Sequence, residues 1–315
     1  METTIVKTGN QELTLTGSKR IQELLETFLA CQDVKASSKD RYRITLRQYF
    51  NWIERKGYLL SEITRAEIQQ YKEELLASGM RPLTVGSYIN SVRYFYDWTE
   101  ANKFYPNVAK GVKAPKRKQE FKKQPLSPTQ SQELLSYYQD KALRDYAIIS
   151  LLLRTGLRTI EVIRANIEDI THIQDKRVLL IQGKGRDEKD ELVVLTDKAY
   201  LPIAQYLKLR GKAKAGEPLF TSTSNNSKGE RLTTRSISFI AKEGLKGIGL
   251  EGRDFTAHSL RHTTIVNLRR AGATAEQAQG VARHKSIATT QIYDSYFRQE
   301  ERIKNAPEEL LDSLY

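Results

Sequence analysis

The chain has 315 residues, 39% hydrophobic and 28% charged, enough for two domains with separate cores and incompatible with a disordered or fibrous protein. Its 51 Lys+Arg against 38 Asp+Glu leave a net charge of +13, which favours a polyanionic partner. No apolar run nears the roughly 18–20 residues of a bilayer span, no basic-then-apolar leader opens the chain, and the single cysteine excludes an internal disulfide framework; a cytoplasmic protein without a membrane partner is expected.

Residues 1–18 carry no evident chemistry and are expected to form a short extension or a strand. Helical periodicity begins at "KRIQELLETFLACQ", where Cys31 is expected to act as a small buried apolar residue. "SSKDRYRITLRQYFNWIERKG" offers Ser37 or Ser38 as a cap and an apolar stripe of Tyr42, Leu46, Tyr49, Phe50 and Ile53. Lys39, Arg43 and Arg47 recur every four residues beside that stripe and are candidate DNA contacts. "TRAEIQQYKEELLASG" and "RPLTVGSYINSVRYFYDWTEANK" complete a four-helix domain, the latter through Val85, Tyr88, Ile89, Val92 and Phe95 or Tyr96. Its aromatics read as core and not as base-stacking platforms.

The composition then shifts. Residues 111–124, "GVKAPKRKQEFKKQ", hold six basic residues and one acid, over a third of the net charge of the whole chain. Pro115 and Pro125 bracket the stretch and it has no apolar period, so it reads as a linker. A tether needs no such charge, and Lys116, Arg117, Lys118, Lys122 and Lys123 are therefore candidate contacts to a phosphate backbone.

Beyond the linker, "SPTQSQELLSYYQ" and "KALRDYAIISLLLRTG" read as helices, the second nearly continuous in apolar residues and so buried. "RVLLIQ" and "ELVVLT" are β-branched-rich runs separated by the polar "GKGRDEKD", a β-hairpin signal. Helical patterns resume from about residue 197 to the end, and Pro307 opens a last helix whose Leu310, Leu311 and Leu314 form an apolar face.

The groups that carry chemistry are cations and imidazoles. Arg158 in "TGLRTIEV" has an ordinary explanation as a helix-spaced partner of Glu161. His258 and His262 in "AHSLRHTT" have half the spacing of a zinc motif, but serine follows the first histidine where the catalytic base would stand. With four histidines and one cysteine in the chain, no metal and no other cofactor are expected. "NIEDIT", the one acidic cluster near these motifs, reads as a helix end. Arginines, a hairpin lysine, histidines and a phenol suit a phosphate anion: a guanidinium fork can hold two non-bridging oxygens bidentately as they gain charge. Preorganised donors of this kind are worth about 3–4 kcal/mol each by deletion. A tyrosine becomes a usable nucleophile only beside such cations.

The stretches "LLLRTGLRTIEVIRANIEDI", "AHSLRHTTIVNLRRAGA" and "ARHKSIATTQIYDSY" resemble, in order, the signature boxes of the tyrosine recombinases, the phage-integrase family. The resemblance implies a mainly α protein of two domains. Residues 1–18 would be an extension, 19–111 a helical, SAM-like core-binding domain, 112–124 the basic linker, and 125–315 a mixed α/β catalytic domain with a small antiparallel sheet and a C-terminal tail helix. It implies that Arg158 and Arg261 clamp the scissile phosphate and that Lys184 is the general acid to the leaving 5′ oxygen, with Lys189 a rival for that role. His258 assists as acid or base, His284 hydrogen-bonds the phosphate, and Tyr293 is the nucleophile. Tyr296, three residues on, reads as packing and His262 as structural.

Two departures from the family pattern stand out. Arg283 occupies the position before the third-box histidine where glycine is usual, and Asp187, Glu188 and Asp190 make the hairpin tip acidic. The resemblance further implies double-stranded DNA with inverted-repeat core sites as substrate, a homo-tetramer on synapsed duplexes, a nucleoid-associated location and, for a mobile-element integrase or excisionase, a directionality factor. The alternatives are a Xer-like dimer resolvase or a transposon resolvase of the same family. A type IB-like topoisomerase and a DNA-binding regulator whose site has decayed stand further off.

Overall fold

The computed structural model describes residues 4–8, 11–15, 18–116, 124–183, 185–284, 286, 297–298 and 302–314. The chain divides into two compact units, Met1–Gln119 and Glu120–Tyr315.

The first unit opens with an antiparallel hairpin of β1 (Thr4–Thr8) and β2 (Gln11–Leu15), Thr4 opposite Leu15. Four helices follow: α1 (Ser18–Cys31), α2 (Ala36–Lys56), α3 (Arg65–Ala77) and α4 (Pro82–Ala101). Their inward faces meet in one core that includes Phe28, Leu46, Tyr49, Phe50, Ile89, Phe95 and Tyr96. The aromatics that alternate with the basic residues of α2 are thus core. The Tyr49 and Tyr96 hydroxyls lie 3.0 Å apart and satisfy each other inside it.

Local chemistry explains the helix ends, with two corrections to the sequence reading. Thr64 caps α3, its Oγ1 accepting from the Ala66 N–H while Glu67 accepts from the Thr64 N–H at 2.7 Å. Neither Ser37 nor Ser38 caps α2. The helix begins earlier, at an extended Lys35 whose carbonyl already accepts from the Ser38 N–H at 2.8 Å. Cys31 is exposed, not buried: it ends α1 just past Phe28 and Leu29, which take the inward positions.

The second unit contains α5 (Pro128–Gln139), α6 (Leu143–Thr155), α7 (Thr159–Arg164), α8 (Asp197–Arg210), α9 (Thr234–Gly247), α10 (Ala257–Arg270) and α11 (Ala275–Ala282). Helix α6 is its axis, buried at every position from Ala147 to Leu152 as its apolar run requires. Helix α10 crosses it, and Thr264 Oγ1 donates to the backbone of α6.

The sheet has three strands and not two: β3 (Ile170–Ile173), β4 (Lys176–Ile181) and β5 (Glu191–Val194), antiparallel in that order. "NIEDIT", read as a helix end, is a 3₁₀ turn (Ile167–Asp169) running into β3. Residues Gln174 and Asp175 close the β3–β4 hairpin with φ of 46° and 60°, the left-handed pair a two-residue turn needs. Usually such a turn contains glycine or Asn-Gly. Its absence hid the strand.

Nor is the remainder continuously helical. Residues 211–233 form an irregular excursion with one 3₁₀ turn (Asn225–Ser227), tied down by single bridges from Asn166 to Pro218 and Thr221 to Arg231. The C-terminal "PEELLDS" is a 3₁₀ helix (Pro307–Ser313) in which Leu310 and Leu311, with Leu314 beyond it, are exposed.

Two glycines of α9 give a test of packing. A Cβ on Gly244 would stand 2.4 Å from the ring of Tyr138, which is buried and donates its hydroxyl to the Ile240 carbonyl at 2.5 Å. A Cβ on Gly247 would stand closer still to Tyr137, at 2.1 Å, but that ring is only half-buried and can swing outward. Gly244→Ala is expected to lower stability by about 1–3 kcal/mol and Gly247→Ala by under about 1 kcal/mol. Urea unfolding of the two variants measures the difference; equal effects would refute it.

Candidate active site

Three helix termini of the second unit converge to build the site. Arg158 is the N-cap of α7, half-buried and extended at φ −78° and ψ 151°. Its backbone N–H donates to Glu161 Oε2 at 2.8 Å and its guanidinium to Glu161 Oε1 at 2.7 Å. The ordinary pairing of these residues is thus real, but Glu161 is completely buried, not a surface partner.

Arg261, one turn into α10, is the largest fully buried side chain among the described residues. Its guanidinium donates to the Gly156 carbonyl, at the C-cap of α6, at 2.6 Å, and to the carbonyl of Ala282, the last residue of α11. Carbonyls at helix C-termini are the negative ends of those helices and suit a cation there. Gly156 itself has φ 61°. His258, exposed in the first turn of α10, stands edge-on to His262, ring centroids 4.6 Å apart. His262 is half-buried and accompanies this arrangement.

His284 follows α11 and is half-buried. Burial, and then the charges of Arg261, Arg158, Arg283 and His258, push its pKa down to about 4. The imidazole is therefore neutral at physiological pH, a hydrogen-bond donor and acceptor without charge of its own. Through Arg261, which joins Gly156 near Arg158 to Ala282 near His284 and lies one turn beyond His258, groups from three sequence boxes are brought together.

Arg283 is the unforeseen member. It ends α11 at φ 52° and ψ 48°, the left-handed region that explains why glycine is usual there. Such a conformation costs an L-residue about 1–2 kcal/mol. Its side chain is almost wholly buried, with Nη2 donating to Glu161 Oε2 at 2.8 Å and Nη1 to the Val281 carbonyl at 2.7 Å. Its Nε lies 3.5 Å from Glu191 Oε2, within charge attraction but without a hydrogen bond. Burial alone would raise the Glu161 pKa; Arg283 and the bonds from Arg158 outweigh it and hold the carboxyl below its ordinary value. The sequence marked position 283 as unusual, but nothing in it showed that Glu161 would face inward.

The acidic hairpin tip also has an explanation. Arg186 pairs with Asp190 and, at 2.9 Å, with Glu191. Lys189 Nζ lies 2.6 and 2.7 Å from the two oxygens of buried Asp169, and this chelated ammonium is poorly placed to give a proton elsewhere. Arg164, at the end of α7, donates to the Gly183 carbonyl at 3.0 Å and fixes the base of the loop. Lys184, Tyr293 and Tyr296 lie outside the described residues. So do Arg117, Lys118, Lys122 and Lys123 of the basic linker; Lys116 is exposed.

On α2, Lys39 is half-buried and Arg47 exposed. Arg43, expected as a DNA contact like them, also braces α2 against α1. Its Nε and Nη2 donate to the Glu26 carboxylate at 3.1 and 3.0 Å, and its Nη1 to Asp40 at 2.9 Å. Among the described residues no group of three or more His, Cys, Asp and Glu could hold a metal, and no helix is long and apolar enough to cross a membrane.

Two arginines and two imidazoles gather at these helix termini, a set of donors whose chemistry suits an anion. Residues 124–300 match the Phage integrase family, and the chain belongs to that family, the tyrosine recombinases, enzymes of site-specific DNA recombination. The tyrosine recombinase XerC of Leptospira interrogans serogroup Icterohaemorrhagiae serovar copenhageni (strain Fiocruz L1-130) is 29% identical over 271 residues, 84% of this chain and 83% of that protein. The XerH site-specific recombinase bound to palindromic difH substrate superposes with a TM-score of 0.74 at 18% identity, covering 92% of this chain and 85% of that one. The Tn1549 transposon integrase in complex with transposon right end DNA gives 0.69 at 18% identity, covering 91% and 99%. The mainly helical fold, with one helical unit and one carrying a small antiparallel sheet, is that of these proteins.

The site makes stability depend on acid in two windows. His284 has its folded pKa depressed to about 4 from 6.5, so the unfolded chain takes up its proton first and stability falls as pH drops from 6.5 toward 4. Glu161, also depressed in the fold, contributes stability that is complete above its unfolded value of 4.5 and is lost as pH falls below it. Thermal melts between pH 7 and 3 should show His284→Gln flattening the upper window and leaving the lower one. Unchanged pH dependence in that variant would refute the assignment.

Proposed function

We propose that the chain cuts and rejoins duplex DNA through a 3′-phosphotyrosyl intermediate, with Tyr293 as nucleophile. The supporting observation is the convergence of Arg158, His258, Arg261 and His284, contributed in box order by α7, α10 and the end of α11. Arg158 and Arg261 hold the two non-bridging oxygens of the scissile phosphate, where charge develops as phosphorus becomes pentacoordinate. The neutral His284 donates a hydrogen bond to one of them. His258 takes the proton from the Tyr293 hydroxyl, or relays it, as the phenol oxygen bonds to phosphorus. Lys184 gives a proton to the 5′ oxygen as its bond to phosphorus breaks, a role favoured over Lys189 by the pairing of the latter with Asp169.

The phosphodiester energy is kept in the tyrosyl link, so neither ATP nor a metal is needed. The freed 5′-hydroxyl of one duplex attacks the link on its partner, and two such exchanges pass through a Holliday junction in a tetramer on synapsed DNA. The domain assignment that goes with this reading gives residues 19–111 and the basic stretch to backbone contact and 125–315 to chemistry. Xer-named relatives matched along most of their length favour a Xer-like recombinase acting on paired inverted-repeat core sites. The integrases of a transposon and of phage lambda are matched in fold at 16–18% identity, and integration or excision of a mobile element with a directionality factor is the second reading. A cytoplasmic, nucleoid-associated location suits both.

The test is a nicked suicide duplex bearing an inverted-repeat core site that the protein binds, incubated in EDTA with wild type, Tyr293→Phe, Tyr296→Phe, Lys184→Ala and Lys189→Ala. A covalent protein–DNA band that survives SDS is expected in wild type and Tyr296→Phe and absent in Tyr293→Phe. Lys184→Ala should slow its formation about 10²-fold or more, and Lys189→Ala far less. A band that follows Tyr296 would move the nucleophile, and no band on a bound site would reduce the chain to a DNA-binding protein.

A further inference from the structure

The pairing of Arg158 with a buried carboxylate poses an electrostatic problem. An Arg158–Glu161 pair alone is neutral, and a neutral pair attracts a phosphate far less than a lone guanidinium does. Glu161 nevertheless cannot be dispensed with locally, because it holds both the backbone N–H and the guanidinium of Arg158. Arg283 adds a second cation to the same carboxylate, on Oε2, leaving Oε1 to Arg158. The trio carries a net positive charge, and Arg158 keeps its position without losing its attraction for an anion.

We propose that Arg283 is a positioning residue: by neutralising buried Glu161 from the end of α11, it leaves the charge of Arg158 available to the scissile phosphate and sets the distance between the α7 and α11 termini. The proposal rests on the phosphate-clamp reading above. Three observations carry it. The side chain of Arg283 is 6% exposed, too enclosed to be a general DNA contact. The backbone adopts a left-handed conformation that glycine would take without penalty, so arginine is held there by what its side chain does. The Nε edge faces Glu191 at the start of β5, so the same residue bears on the hairpin that leads from Lys184. His284, next in sequence, feels the charge of Arg283 together with those of Arg158, Arg261 and His258.

Arg283→Gly and Arg283→Lys test this on the nicked suicide duplex beside wild type and Tyr293→Phe. Glycine suits the backbone at this position, so the first variant is expected to fold, and a thermal melt verifies it. With duplex affinity within about twofold of wild type, Arg283→Gly should form the covalent complex at least about tenfold more slowly. Arg283→Lys, which restores the charge without the fork, should recover most of that loss. The acid limb of the rate should move to higher pH in Arg283→Gly, because a cation beside His284 is gone, and return in Arg283→Lys. A wild-type rate with an unmoved acid limb in Arg283→Gly overturns the proposal, as does a lysine variant no better than glycine. Absence of the covalent complex in wild type removes the clamp reading itself, and the role of Arg283 with it.

Discussion

A carboxylate taken out of water must find cations, and Glu161 is the point on which the catalytic unit turns. Truncating one partner of such a buried cluster leaves an uncompensated charge, which is far more damaging than losing a surface pair. Glu161 therefore fixes which surfaces of α7 and α11 meet. Arg158 reaches it from the helix it begins and Arg283 from the helix it ends. Arg261 completes the junction by tying the C-terminal carbonyls of α6 and α11. Charge and helix polarity together give the site its shape before any DNA is present.

Two further consequences follow from that arrangement. Cations held by buried partners are preorganised, so an anion arriving among them would meet donors already in place. Burial, and with it the same field, keeps the His284 imidazole neutral in the free protein, and an arriving anion would oppose the field and raise the pKa again. His284 is thus poised to change its protonation tendency when the site fills, a property that neither its sequence position nor its burial conveys alone.

Much of this was legible in the residues. Apolar periodicity marked the four helices of the first unit and the buried run of α6, because both rest on local spacing. Arg158, His258, Arg261 and His284 could be picked out as candidates because each stands in a fixed short stretch. What escaped was non-local or lacked its usual signal. Strand β3 was hidden by a left-handed Gln174–Asp175 turn without glycine. Cys31 lay on an apolar-looking helix yet on its outward side. Arg43 fitted a basic stripe along α2, but Glu26 comes from another helix and no periodicity within α2 could reveal it. The inward direction of Glu161 depends on Arg283, 122 residues away.

The fate of Arg43 bears on how the protein would sense ionic strength. DNA binding by a basic protein releases condensed counterions in proportion to the phosphates it neutralises, and that number sets the slope of affinity against salt. A cation already matched to a carboxylate has little charge left to displace such ions. Arg43, Arg186, Lys189 and Arg283 are all in that condition. The salt slope of this protein therefore counts fewer contacts than its 51 basic residues suggest. It registers the cations without internal partners, while the architecture of the site stays largely indifferent to salt.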